Sequence, residues 1–103
     1  MIRLSAIIIT FNEEKNIGRC IDSLHAVADE IVVVDSFSTD KTREIALAKG
    51  ARVIENAFHS HIDQKNFALA QATYDHVLSL DADEYLSEQL TKSILQAKST
   101  WAF

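Results

Sequence analysis

The sequence predicts an α/β fold built on a parallel sheet, and two observations predict it. Short apolar segments rich in β-branched residues alternate with segments whose apolar residues recur at helical spacing, in the order β-α-β-α-β-α-β-α. Polar or acidic residues follow three of the four predicted strands. Strands separated by helices are joined by right-handed crossovers, so we expect all four strands to run parallel.

The composition is that of a globular domain. The chain has 103 residues, of which 48% are hydrophobic and 24% charged. A net charge of −5 argues against a nucleic-acid partner, because a non-specific nucleic-acid binder carries a basic surface. The sequence shows no signal-peptide cleavage pattern, and its single cysteine fits a reducing compartment. We therefore expect a cytoplasmic location.

The first predicted strand covers residues 4–10, where a continuous β-branched run favours a central position in the sheet. The first helix is predicted over residues 15–26, with Asn16 as its N-cap. Cys20 lies on the apolar face of this helix. A reactive thiol needs an electropositive setting, so we expect Cys20 to be a core residue.

The second strand is predicted over residues 30–35 and is apolar until Asp35 ends it. A loop rich in helix-capping residues leads into a second helix over residues 40–49. Gly50 stands where a helix C-cap is expected. A third, short strand follows over residues 51–55.

The remaining elements complete the alternation. Residues 56–62 are predicted to be irregular, and a third helix is expected over residues 63–72. A fourth strand is predicted over residues 77–80 as another buried parallel strand. The last helix is expected over residues 87–98, where the apolar residues keep helical spacing.

Three carboxylates follow the fourth strand, at Asp81, Asp83 and Glu84. In an extended segment residues two apart point the same way, so Asp81 and Asp83 can present two carboxylates to one side. Paired hard oxygen ligands suit Mg²⁺ or Mn²⁺, which in turn would hold phosphates. For a D-x-D alone, helix capping or a solvated surface is the more common interpretation, and the other polar strand ends are what favour a ligand site here. Glu84 would either support a metal ligand or carry charge in the first turn of the last helix.

Polar side chains leave three separate strands at the same expected edge of the sheet. They are residues 12–14 after the first strand, Asp35 at the end of the second, and Asp81 with Asp83 at the end of the fourth. In open parallel sheets ligands bind outside the carboxyl ends, where the strand order reverses. We therefore expect these residues to surround one cleft.

Four motifs stand in order along the chain and together cover most of it. They are SAIIITFNEE at 5–14, VVDSFSTDKT at 33–42, QKN at 64–66 and LDADE at 80–84. Their sequence resembles family 2 glycosyltransferases, whose second motif is usually V-D-D-G-S-T-D-x-T and whose last is D-x-D. The chain looks most like bacterial lipopolysaccharide-core glucosyltransferases, in which V-D-S-x-S-T-D and Q-K-N recur. The resemblance implies a Rossmann-like parallel sheet of the GT-A type.

The resemblance also implies an activity. Such an enzyme transfers a sugar, here glucose, from a UDP-sugar donor to a glycan or lipid-linked lipopolysaccharide-core acceptor, with inversion and a divalent metal. The implied nucleotide-binding residues are Thr10, Asn12, Glu14, Asp35, Lys65, Asp81 and Ala82, and Asp83 is the implied ligand of Mg²⁺ or Mn²⁺. Asp35 would accept the N3–H of uracil, and the metal would neutralise the leaving UDP.

The chain departs from the family pattern in its second motif and in its extent. Ser36 and Phe37 replace an aspartate and a glycine, so the resemblance implies no nucleotide contact at position 36. The family's acceptor site and catalytic base follow the D-x-D, and nothing after Glu84 suits that role. We expect residues 1–103 to be the nucleotide-sugar-binding part of a truncated domain, inactive alone, with its base beyond Phe103.

The same residues allow other interpretations. The chain could be a nucleotide-sugar-binding fragment with no transferase activity of its own. A nucleotidyltransferase or dinucleotide-binding domain would need a glycine-rich loop after the first strand, which is absent. His59, His61 and Asp63 lack the fourth ligand of a structural zinc site, so we expect their loop to border the cleft or face solvent. A truncated chain would expose apolar surface and self-associate, and the sequence leaves open a peripheral position at the inner membrane.

Overall fold

Four parallel strands form a single sheet in the order β3-β2-β1-β4 in the computed structural model, which describes residues 2–100. The elements are β1 (Leu4–Thr10), α1 (Ile17–Leu24), β2 (Glu30–Asp35), α2 (Thr42–Ala48), β3 (Arg52–Glu55), α3 (His61–Gln71), β4 (His76–Asp81) and α4 (Glu88–Thr100). The predicted alternation and the parallel sheet are confirmed. Phe103, beyond which the catalytic base was expected, lies outside the described residues.

The strand order reverses beside β1. The chain passes from β1 to β2 on one side and returns much later to place β4 on the other, so Ile8 pairs with Val33 and with Leu80. In a parallel sheet this reversal separates the loops that follow the two strands on either side and opens a crevice between them. The crevice therefore lies at the carboxyl ends of β1 and β4.

Alternating side chains of the strands feed two apolar layers. Ile8 and Val33 point to the face covered by α1, where Ile21 is fully buried. Ile7 and Val32 point to the opposite face, where Ala68 of α3 packs on them. Residues of α2 and α4 join the first layer, so α3 alone covers the second among the described helices.

Three helix starts lie two residues from the prediction, and that of α2 moves from residue 40 to Thr42. Helix α1 begins at Ile17 rather than residue 15, and the Asn16 side chain makes no capping bond; the Glu13 carbonyl instead accepts the backbone N–H of Ile17 at 2.8 Å. Helix α3 begins at His61, two residues early, because the Ser60 hydroxyl accepts the Asp63 N–H at 3.1 Å. This N-cap brings His61 into regular helical structure at the edge of the crevice.

Two other helix ends follow the expected chemistry. Gly50, at φ +90°, closes α2: its N–H donates to the Leu47 carbonyl at 3.1 Å, and the Ala51 N–H donates to Ala46 at the same distance. This is the paired bonding of a Schellman motif, for which glycine is the favoured residue. At the start of α4, the Ser87 hydroxyl accepts the Leu90 N–H at 3.1 Å.

Strand β4 is not the fully buried strand that the sequence predicted. It is an edge strand, its apolar residues are only half-buried, and Ser79 is exposed. An edge strand lacks a neighbour on one side and so keeps part of its surface open. On α4, Leu90 and Leu95 are exposed as well. These exposed side chains agree with the expectation that apolar surface is open to solvent, and self-association stays a prediction. Within residues 2–100, no helix is both long and apolar enough to cross a membrane.

Candidate functional site

A cavity of about 290 Å³ occupies the crevice at the carboxyl ends of β1 and β4. Its walls come from the end of β1, the turn after β4, the loop after β2 and the start of α3. Four of the predicted site residues line it: Thr10, Asp81, Ala82 and Asp83. Asn12, Glu14, Asp35 and Lys65 are not among its lining residues.

Asp35 is fully buried beneath the loop that follows β2. Both carboxylate oxygens accept hydrogen bonds from Ser38: Oδ2 from the backbone N–H at 2.8 Å and Oδ1 from the hydroxyl at 2.6 Å. The guanidinium of Arg43 lies 4.0 Å from Oδ2. Because both oxygens are engaged inside the protein, Asp35 in this conformation supports the loop and does not face the cavity.

Asn12 joins the loop after β1 to the loop after β2. Its N–H donates to the Ser38 hydroxyl at 2.8 Å, and its side-chain Oδ1 accepts the Thr39 N–H at the same distance. The Glu14 N–H adds a bond to Asp40 at 3.2 Å, and the Glu14 side chain is exposed. Asn12 has a φ of +50°, a left-handed value that asparagine tolerates better than most residues. These bonds fix the loop after β1 against the loop after β2.

Lys65 lies on α3 with an exposed side chain, away from the cavity lining. Its neighbour Gln64 is the buried member of the QKN motif, at 1% exposure. Helical geometry explains the contrast, because adjacent residues in a helix point about a quarter turn or more apart. The nucleotide contact predicted for Lys65 stays a prediction.

Thr10 carries an unusual buried hydroxyl at the end of β1. The residue is 6% exposed and lines the cavity, yet its Oγ1 has no hydrogen-bond partner in the part of the chain that the structure describes. Burying a hydroxyl without a partner is unfavourable, and native proteins rarely leave one unpaired. An unpaired hydroxyl in the wall of a cavity is therefore suited to bind a polar ligand atom.

Asp81 and Asp83 both face the cavity, but a turn and not an extended segment places them there. The strand ends at Asp81, and the Glu84 N–H donates back to the Asp81 carbonyl at 2.9 Å, which turns the chain at Ala82 and Asp83. Glu84 closes the turn, its Oε1 accepting the Asp81 N–H at 2.7 Å. The alternative that Glu84 sits in the first turn of α4 is wrong, because α4 begins at Glu88.

The cavity wall is acidic. Glu13, Asp81 and Asp83 contribute carboxylates, and no lysine or arginine among the described residues lines the cavity. Among residues 2–100, no three His, Cys, Asp or Glu side chains are arranged to hold a metal unaided. The carboxylates of Asp81 and Asp83 do fit Mg²⁺ or Mn²⁺, since such ions use one or two carboxylates and complete their shell with substrate phosphates and water.

Several residues near the cavity were not predicted as site residues. Ser36, Phe58 and His61 line it, and Gln64 donates a hydrogen bond to Ser36. Glu13 also lines it, as one of the residues 12–14 that were expected around the cleft. Phe58 and His61 pack edge to face with ring centroids 5.2 Å apart. The loop around His61 was expected to border the cleft or face solvent, and His61 borders it. Its sequence pattern gave no sign of the Phe58 contact.

Cys20 is fully buried in α1, and its thiol donates to the Asp81 carbonyl at 3.7 Å. Burial, followed by the charges of Glu84 and Asp83, raises the pKa of the thiol to about 12. A thiol with so high a pKa is almost wholly protonated and is a poor nucleophile. The prediction that Cys20 is a core residue is confirmed, and it packs directly behind the acidic turn.

Comparison with known proteins agrees with this geometry. The family model described as glycosyl transferase family 2 matches residues 5–100. A glycosyltransferase of Rickettsia typhi is 45% identical over 94 residues, covering 91% of this chain and 32% of its own length. The lipopolysaccharide core biosynthesis glycosyltransferase LpsC of Rhizobium meliloti is 40% identical over 92 residues, covering 84% of this chain and 34% of its own.

A solved structure is similar as well. Glucosyl-3-phosphoglycerate synthase from Mycobacterium tuberculosis, crystallised with Mn²⁺, UDP and glucosyl-3-phosphoglycerate, superposes with a TM-score of 0.72 at 28% identity. The match covers 82% of this chain and 36% of that one. The chain spans about a third of the length of the curated relatives it matches.

Proposed function

The chain belongs to glycosyl transferase family 2, and from this premise we propose that it forms the donor-binding part of an enzyme that transfers a sugar from a nucleotide-sugar donor. The observation that carries the proposal is the buried, unpaired hydroxyl of Thr10, a residue that lines one cavity together with Asp81 and Asp83. A polar ligand atom would give this hydroxyl its missing partner, and the two carboxylates would hold a cation beside it.

The charge of the cavity supports a requirement for a divalent cation. A nucleoside diphosphate is strongly anionic, and the lining carries Glu13, Asp81 and Asp83 without a lysine or arginine. Like charges at close range repel, so binding of the diphosphate without a cation would be unfavourable. Mg²⁺ or Mn²⁺ between Asp83 and the phosphates would reverse the sign of that interaction, and a similar structure was crystallised with Mn²⁺ and UDP.

Each residue then has a proposed part. Asp83 is the metal ligand, Asp81 and Ala82 contact the ribose side of the nucleotide, and Thr10 bonds the nucleotide from the end of β1. Bound metal would act as a Lewis acid that stabilises the leaving nucleoside diphosphate. Asn12 and Asp35 keep the pocket in shape through Ser38. An inverting transfer also needs a base at the acceptor hydroxyl, which we place beyond Phe103.

The finer identity of the substrates is proposed from the relatives. We propose a UDP-sugar donor, with glucose as the sugar, and a glycan or lipid-linked lipopolysaccharide-core acceptor. Support comes from the UDP complex of one similar structure and the name of the Rhizobium meliloti relative. We also propose a cytoplasmic location with peripheral contact at the inner membrane, where lipid-linked acceptors would be reached. A second candidate, donor binding without transfer by this chain alone, is favoured by its span of about a third of its relatives.

Isothermal titration tests the proposal directly. UDP and UDP-glucose are titrated into the chain with Mn²⁺, with Mg²⁺ and with EDTA. We expect saturable binding that requires the cation, and the Thr10→Val variant, which keeps the shape but removes the hydroxyl, should bind about tenfold more weakly, the loss of one hydrogen bond. Binding that ignores the cation, or no binding at all, would count against the donor pocket. Transfer to an acceptor by the whole enzyme, absent from this chain, would distinguish the two candidates.

A further inference from the structure

Ser36 occupies the place where the family resemblance expects a second aspartate. It lines the main cavity and also an adjoining apolar recess of about 390 Å³, whose walls are Phe11, Phe58 and His61. Because Phe11, Ser36, Phe58 and His61 line both cavities, the recess adjoins the main cavity. Ser36 therefore carries the hydroxyl in an otherwise aromatic recess, while Asp35 next to it faces into the protein.

Gln64 fixes the direction of the Ser36 hydroxyl. Its Nε2 donates to the Ser36 Oγ at 2.9 Å and also to the backbone carbonyl of Asn56 at 3.2 Å. Its Oε1 accepts the Asn56 side-chain N–H at 2.8 Å. A carbonyl can only accept, so the amide cannot be flipped without setting two oxygens against each other. The orientation of Gln64, which is 1% exposed, is thus determined by its surroundings.

The Ser36 hydroxyl is left with a proton to donate. One of its lone pairs is engaged by Gln64, and in the described part of the chain no acceptor for its proton is present. The backbone N–H of Ser36 is also engaged, donating to the Thr10 carbonyl at 3.0 Å. A hydroxyl in this state best completes its hydrogen bonding by donating into the cavity.

We propose that Gln64 is a positioning residue that makes Ser36 a hydrogen-bond donor to a carbonyl oxygen of the donor's nucleobase, with the base lying against Phe58 and His61. This rests on the proposed function. A donating hydroxyl suits the O4 carbonyl of uracil. The amino group that cytosine has at the same place could only donate to the second lone pair of Ser36, which would leave the hydroxyl proton without an acceptor. The recess walls offer exposed aromatic surface, which binds the flat face of a base.

The test measures binding of UDP, CDP and pyrophosphate to the full chain in Mn²⁺. We expect Ser36→Ala and Gln64→Met each to weaken UDP binding about tenfold, as for one lost hydrogen bond, and to weaken CDP less. The double variant should be no weaker than either single one, because both changes remove the same bond. Manganese pyrophosphate, which lacks a base, should bind all variants as it binds the wild type.

Matched phenylalanine variants test the aromatic wall. Phe58→Leu should weaken UDP binding about tenfold through lost stacking. Phe37→Leu is the control, since Phe37 is 54% exposed against 49% for Phe58 but does not line the recess. Circular dichroism melting curves confirm that each variant folds.

The outcomes separate this inference from the proposed function. Wild-type binding to manganese UDP with unchanged affinity in Ser36→Ala and Gln64→Met would overturn the role of this pair while leaving the donor pocket intact. Equal loss of UDP and pyrophosphate binding would overturn it too, because the damage would not be confined to the base. Failure of the wild type to bind either ligand would instead overturn the proposed function.

Discussion

Ser38 donates two hydrogen bonds to the buried carboxylate of Asp35, from its backbone N–H at 2.8 Å and from its hydroxyl at 2.6 Å. The same hydroxyl accepts the Asn12 N–H at 2.8 Å. One carboxylate at the end of β2 thus organises both loops that flank the carboxyl end of β1. Hydrogen bonds to an ionised, buried acceptor are stronger than those between neutral groups.

Replacing this acceptor should destabilise the fold. We expect Asp35→Asn to lower the free energy of unfolding by about 2 kcal/mol, because an amide offers only one acceptor where Ser38 needs two. Urea unfolding followed by circular dichroism measures the change. Asp75→Asn is the control, at an exposed position just before β4, and should change the free energy by less than about 0.5 kcal/mol. Equal stability of the two variants would show that the hydrogen bonds of Asp35 contribute little to the free energy of unfolding.

Thr10→Val should have opposite effects on stability and binding. Valine has nearly the shape of threonine and suits a strand, and it removes a buried hydroxyl that lacks a partner. We expect the free energy of unfolding to rise by about 1 kcal/mol while manganese UDP binds more weakly. Thermal melting and titration report the two quantities. A variant that loses both stability and affinity would indicate that the hydroxyl has a structural partner.

Cys20 should be unreactive until the chain unfolds. Its pKa of about 12, against an ordinary value of 9.0, lowers the thiolate fraction about a thousandfold at a pH of about 8. Reaction with a disulfide reagent should therefore be slower by at least that factor in the native protein than in urea. A cysteine placed at exposed Ser79 by Ser79→Cys, in a Cys20→Ser chain, should react quickly without urea. Rapid native labelling of Cys20 would contradict its burial.

The sequence predicted the bounds of the strands more accurately than the directions of the side chains at the strand ends. Apolar runs determine where β2 begins and ends, and the predicted and observed bounds coincide at residues 30–35. Periodicity says nothing about which way a terminal side chain turns, and Asp35 turns inward because Ser38 offers it two donors. Phe58 was missed for a related reason: it lies in an irregular segment whose path depends on tertiary contacts.

Asp81 and Asp83 of the D-x-D motif line the same cavity, as predicted, but the extended geometry on which that prediction rested was wrong. An extended segment would have put Asp81 and Asp83 on one side, whereas the chain turns after Asp81 under a hydrogen bond from Glu84. Ala82 is the residue that this turn buries, at 3% exposure, which leaves the two carboxylates facing the cavity. A motif can therefore identify the residues of a site while local turn chemistry decides their geometry.

Glu30 should make the free energy of unfolding depend on pH. Burial opposes its ionisation, but hydrogen bonds from Thr73, Ser5 and Arg52 outweigh that and lower the pKa from 4.5 to about 2. A lowered folded-state pKa contributes stability that is complete above the unfolded value of 4.5 and is lost as the pH falls toward about 2. With the side chain 17% exposed, the contribution at neutral pH is at most about 3 kcal/mol.

Urea unfolding at a pH of about 7 and about 3 measures this dependence. We expect the wild type to lose about 2 kcal/mol more than Glu30→Gln between these conditions. Thr91→Val on α4 is the control, because the Thr91 hydroxyl bonds only the Ser87 carbonyl. This substitution should change the free energy of unfolding by the same amount at both pH values. Parallel losses in the wild type and Glu30→Gln would mean that Glu30 is not the group responsible.

Asp83→Asn should reduce cation-dependent binding and leave the fold intact. Asp83 is exposed in the turn after β4, so an amide there removes charge without disturbing the core. We expect manganese UDP to bind at least about tenfold more weakly, because the metal ion would lose the Asp83 carboxylate that links it to the protein and would keep only its contacts with the phosphates. In EDTA the variant should bind UDP no worse than the wild type, because removal of one carboxylate relieves repulsion of the diphosphate. Asp75→Asn, at the opposite end of β4, is the matched control and should bind manganese UDP like the wild type. An equal effect of the two substitutions would show that the charge of the whole chain, and not a ligand at the carboxyl end of β4, governs binding of the cation.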